Sequence, residues 1–186
     1  SNNPYRYTDP TGHWQVGDAK AGQLLTWMWQ SGMLNDPTLL ANMSEATGVP
    51  VSVIQNDMAP GQGAVVRTAE VAGASGGQYD QLGIEPGSVS GTLGEGRHQG
   101  PPTIWIEESR LDAFQETLKD PFGNPVSSAA VRTALHEEGH RLKEDRSVNP
   151  NASAAGPDAG YVFESKQYRD VTPYGVDVTP PDCFCQ

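Results

Sequence analysis

A chain of 186 residues is long enough to fold as one domain with a sizeable core. Its 23 acidic residues against 12 basic ones give a net charge of −11, and no basic run occurs, which argues against a phosphate-binding surface and against nucleic acid as a partner. No apolar stretch approaches the roughly 20 residues that cross a bilayer, and no signal peptide is visible.

The first run, Asn3-Pro4-Tyr5-Arg6-Tyr7-Thr8-Asp9-Pro10-Thr11-Gly12, contains a good turn, with proline at i+1 and glycine at i+3. The turn alone carries no function. With Tyr5, Arg6 and Tyr7 around it, the run resembles the end of the Rhs/YD-repeat core. In that family of large bacterial toxins, a repeat shell precedes a variable C-terminal domain that does the killing. The resemblance covers about a tenth of the chain. It implies that residues 1–14 are a remnant of the shell and that the remainder is a toxin, secreted or delivered into a target cell. A cognate immunity protein and the Rhs/YD-repeat shell are the partners it implies.

Residues 15–60 read as a helical region. Asp18 can cap a helix through Leu24, Leu25, Trp27 and Met28 that stops near Gly32. Asp36-Pro37 starts a second helix with Leu39, Leu40 and Met43 on one side, and Gly48 stops it. The pair predicts a helical hairpin whose indoles, Trp14, Trp27 and Trp29, pack on the rest of the domain. Val49 to Ile54 reads as a short strand.

Residues 61–100 hold 11 of the 21 glycines. This stretch reads as a mobile loop or lid, with Val65, Val66 and Val71 as one strand within it. Thr103 to Glu107 reads as a strand at or near a sheet edge, followed by a polar connection. From Ser127 or Ser128 as N-cap, Val131, Ala134, Leu135 and Leu142 fall at helical spacing, which predicts one amphipathic helix over about 128–145. Ser147 to Gly160 reads as a loop and Tyr161 to Asp170 as a further helix. Residues 61–178 form the catalytic region. Residues 179–186 form a tail, whose Cys183 and Cys185 are too close for an unstrained disulfide.

The helix over 128–145 carries His136-Glu137-Glu138-Gly139-His140, which fits H-E-x-x-H. Two imidazoles four residues apart share one helix face and can bind one zinc ion, with Glu137 beside its water. Motif and preceding strand together resemble the zincin superfamily of metallopeptidases. The resemblance implies an α+β fold, a small mixed or antiparallel sheet packed on the active-site helix. It also implies a zinc-dependent peptidase that hydrolyses a protein of the target cell, with Glu137 as the catalytic base.

Catalytic zinc takes three protein ligands and an open position. No histidine follows His140, and Lys143 and Arg146 stand where a later histidine would be needed. The third ligand is then a carboxylate, a cysteine, or an earlier histidine, His13 or His98. Glu164, on the further helix, is favoured over Asp158. It is expected about 2.0–2.2 Å from zinc, or near the gap between the two histidines without metal. Tyr161, Tyr168 and Tyr174 are candidate oxyanion donors, and Glu138 is expected at the surface or behind the ligands. Two alternatives stand beside this reading. One is a zinc nucleobase deaminase using His136, Glu138 and the Cys183/Cys185 pair, although an Asp interrupts that pattern and its spacing is one short. The other is a non-catalytic pre-toxin or interaction domain.

Overall fold

The computed structural model describes residues 14–70, 76–80, 83, 100–143 and 159–168. The fold is α+β. Four strands, β1 (Trp14–Val16), β2 (Pro60–Ala69), β3 (Gly77–Asp80) and β4 (Thr103–Glu107), form one mixed sheet in the order β1-β2-β4-β3. β1 and β4 run parallel to β2, whereas β3 runs antiparallel to β4. Among the described residues six α-helices accompany them: α1 (Ala19–Gln30), α2 (Pro37–Thr47), α3 (Val51–Asp57), α4 (Glu108–Lys119), α5 (Ala129–Lys143) and α6 (Ala159–Gln167).

The first two helices begin and end where their caps dictate. The Asp18 carboxylate accepts the Ala21 amide at 3.0 Å and also takes the Thr68 amide and hydroxyl, at 2.6 and 2.8 Å. One side chain thus caps α1 and ties it to β2. Ala21, Leu24, Leu25 and Met28 recur at helical spacing and are buried. Asp36 accepts two first-turn amides of α2, with Pro37 at its first position. Gly48 closes that helix at φ +77°, a left-handed conformation that favours glycine. The two helices form the expected N-terminal pair but bury their faces apart, α1 against β2 and α4, α2 against α6 and α3. Trp14 is fully buried, Trp27 meets Phe114 edge-on at 5.6 Å, and the Trp29 indole donates to the Met58 carbonyl at 2.9 Å.

Four segments differ from the sequence reading. Val49–Ile54 contributes to α3 and not to a strand. Pro50 precedes the helix, Ile54 and Asp57 face inward, and Val51 and Val53 face solvent, a three-residue period that overrides their β preference. The glycine-rich stretch is not a loop throughout. Its start forms the ten-residue β2, and Gly77–Asp80 forms β3; Val71 lies outside the described residues. The polar connection after β4 is α4, which buries only Leu111 and Phe114 and so has little apolar signal. β1 begins at Trp14, inside the segment assigned to the shell remnant. β4 has the expected bounds and lies one strand in from β3, the edge strand among the described residues.

Candidate metal centre

α5 is the central helix of the fold. The Ser128 hydroxyl accepts the Val131 amide at 3.4 Å, and the Ser128 carbonyl accepts the Arg132 amide at 3.1 Å, so Ser128 starts the helix. Every residue from Ala130 to His140 is buried. α6, β3, β4, α2 and α4 pack around it. At 100° per residue, His136, His140 and Glu137 span one 100° sector, while Glu138 stands about 200° from His136.

On the first face, His136 Nε2 and His140 Nε2 lie 3.0 Å apart, with ring centroids 4.8 Å apart. Two nitrogens bound to one tetrahedral zinc at about 2.0–2.1 Å stand about 3.3 Å apart, so the spacing suits a shared ion. Glu164 Oε1 lies 3.2 Å from His136 Nδ1, and both side chains are buried. The expected third ligand is therefore in the same cluster. That contact is with the His136 ring nitrogen other than the one that faces His140. Among the described residues, no three His, Cys, Asp or Glu side chains are arranged to hold a metal together. The donor chemistry of two imidazoles and a buried carboxylate suits zinc. Two of the three donors also have the required spacing.

α6 runs antiparallel beside α5, pairing Arg132 with Tyr168, His136 with Glu164 and Gly139 with Gly160. The glycines make this approach possible. A Cβ on Gly160 would lie 2.6 Å from the His136 ring, and one on Gly139 would lie 3.3 Å from Gly160. Tyr161 meets the His136 ring edge-on at 5.0 Å, and the Arg132 guanidinium sits 4.0 Å from the Tyr168 ring centre. Burial raises the Tyr168 hydroxyl pKa, with Arg132 opposing and Glu164 adding to the shift, so the hydroxyl stays protonated at neutral pH. Asn42 to Gln167 at 2.9 Å and Lys166 to Glu45 at 2.7 Å fasten α6 to α2.

Glu137 faces the sheet edge and accepts the Tyr79 amide at 2.7 Å. One turn earlier, the Thr133 hydroxyl accepts from Arg110 at 2.6 Å. Glu138, expected at the surface or behind the ligands, is fully buried. It accepts the Trp14 indole N–H at 2.9 Å and a two-point fork from Arg141 at 2.7 and 2.8 Å. Arg141 also pairs with Asp57. Burial raises Glu138 to about 8, opposed by the indole donor, and lowers Arg141 to about 10. Arg141 remains cationic at neutral pH, and its fork favours the ionised carboxylate. Sequence reasoning had no signal for this cluster, because Trp14 and Asp57 are far from α5 along the chain.

Asp158, His13, His98, Tyr174, Cys183 and Cys185 lie outside the described residues. Among the described residues, no helix is long and apolar enough to cross a membrane. The chain matches no family model, no curated protein and no solved structure.

Proposed function

We propose that this protein is a zinc-dependent peptidase that acts as the toxic domain of a larger bacterial effector. The observation that carries the reading is the buried pair His136 Nε2 and His140 Nε2 at 3.0 Å, with Glu137 on the adjoining part of the helix. His136 and His140 would hold the metal, with Glu164 as the third protein ligand. Bound zinc supplies Lewis-acid polarisation of a carbonyl and lowers the pKa of water toward about 7. Glu137 would take a proton from the attacking water and return it to the leaving amine. The buried surroundings of the cluster strengthen each of these electrostatic contacts. Tyr161, edge-on to the His136 ring at 5.0 Å, is the candidate oxyanion donor.

The effector part of the reading rests on residues 3–12, whose motif resembles the end of an Rhs/YD-repeat core. It carries the shell, a target-cell protein substrate, an immunity protein and delivery into another cell as proposals. The deaminase alternative loses ground at Glu138. That reading needs Glu138 as the proton carrier at the metal, yet its carboxylate is engaged by Trp14 and Arg141 on the other side of α5.

Metal analysis of the purified protein is the test. Stoichiometric zinc is expected, lost in His136→Ala and in His140→Ala, with hydrolysis lost alongside. A protein that binds no zinc at micromolar free metal overturns the proposal.

A further inference from the structure

Just before β3, the Gly76 carbonyl accepts the Glu107 amide at 2.9 Å. In an antiparallel pair the residues alternate between bonded and non-bonded positions. With Gly77 opposite Ile106 and Tyr79 opposite Ile104, the backbone groups of Gln78 and Asp80 point at β4, and those of Gly77 and Tyr79 point away from it. The Tyr79 amide thus points to the side of β3 away from β4, and Glu137 Oε2 receives it at 2.7 Å. The contact needs β3 to lie directly on α5. Gly77 provides this, because a Cβ there would collide with Thr133 Cγ2 and come within 3.3 Å of Glu137 Cγ. The strand and the carboxylate therefore share one close-packed junction.

We propose that the backbone amide of Tyr79 positions the Glu137 carboxylate for its proton-transfer role, and that Gly77 is the residue that lets the amide reach it. This rests on the reading of Glu137 as the proton acceptor. An amide in a paired strand is a rigid donor, so it fixes one carboxylate oxygen and leaves the other oxygen to work. A misplacement of about 1 Å at such a group costs about 100-fold in rate. A Gly77 side chain would produce a shift of that kind without touching His136 or His140.

Gly77→Ala should therefore keep its zinc and its KM on quenched-fluorescent casein, while kcat falls about 100-fold. Thr133→Ser removes the colliding Cγ2 and keeps the hydroxyl that Arg110 uses. Alone it should leave kcat near the wild-type value, and combined with Gly77→Ala it should restore most of the lost rate. Amide hydrogen exchange gives a second readout that needs no activity. In Glu137→Ala the Tyr79 amide should exchange at least about tenfold faster, while the Gln78 and Asp80 amides keep their rates. Full kcat in Gly77→Ala, loss of zinc along with kcat, failure of Thr133→Ser to rescue, or unchanged Tyr79 exchange in Glu137→Ala overturns the proposal. A wild-type protein that holds zinc but cleaves nothing counts against the peptidase reading alone. The exchange rates then decide the role of the amide.

Discussion

Glu137 and Glu138 are the same residue at adjacent positions on the same helix, and the fold treats them in opposite ways. Glu137 has one amide on one oxygen, at the sheet edge and beside two imidazoles. Glu138 is gripped by an indole and a guanidinium fork, in the layer that joins α5 to β1 and α3. The difference is a rotation of 100° about the helix axis. It separates a carboxylate that has an oxygen left for chemistry from one whose oxygens are both occupied in holding the helix in place. A motif read only as letters treats the second glutamate as filler. Here the filler position is the attachment point of the helix.

The contrast breaks most sharply at Glu137. Glu137→Gln should lower hydrolysis by about 10²–10⁴-fold, the range for a lost general base, with zinc content unchanged. A fully active variant sinks the mechanism. The next largest effect is at Glu138, read in stability instead of rate. Glu138→Ala removes the acceptor of both the Trp14 indole and the Arg141 fork, while Arg141 keeps Asp57, and at about 1–3 kcal/mol for each orphaned donor it should cost about 3 kcal/mol or more in chemical denaturation. A loss within about 0.5 kcal/mol, as at an ordinary surface position, would show that the back-face network does not anchor α5. Glu164→Ala sharpens the site side of the comparison. As a ligand, Glu164 leaves a chain that no longer retains stoichiometric zinc. If the carboxylate only orients His136, zinc affinity falls by about 10–100-fold and the metal still binds in excess. A chelator competition separates these two outcomes, while zinc retention and activity in Asp158→Ala is the matched expectation. The smallest effect belongs to Trp14→Phe, which keeps the ring packing and removes one donor to Glu138. It should cost about 1–3 kcal/mol in stability and leave zinc affinity alone. A change in zinc affinity with stability intact would move Trp14 from the anchor to the site.

Much of this arrangement is legible in the sequence where the signal is local. Asp18, Asp36, Pro37, Gly32 and Gly48 mark the ends of α1 and α2 through backbone chemistry that acts within four residues. The β-branched and aromatic run at Thr103–Glu107 gives β4 its bounds, and Ser128 gives α5 its start. The same locality explains the failures. At α3, Val51 and Val53 suggest a strand, whereas Pro50 and the inward-facing Ile54 decide for a helix. β3 was hidden because glycine carries no strand preference. Gly76 and Gly77 are there for close approach to Arg110 and Thr133, which no spacing rule reveals. The placement of His136 and His140 follows from the four-residue step. The neighbours of Glu138 and Glu137 come from β1 and β3, so only the folded chain could show them.

The bond from Trp14 to Glu138 joins residues 124 positions apart. Closing a loop of that size costs about 4 kcal/mol of chain entropy beyond a constant term. Contacts of such range form late in folding. A chain still emerging from the ribosome has β1 long before it has α5, and it has α5 before it has α6. The helix that carries the histidines therefore reaches its final surroundings only after both the first strand and the last described helix have been made.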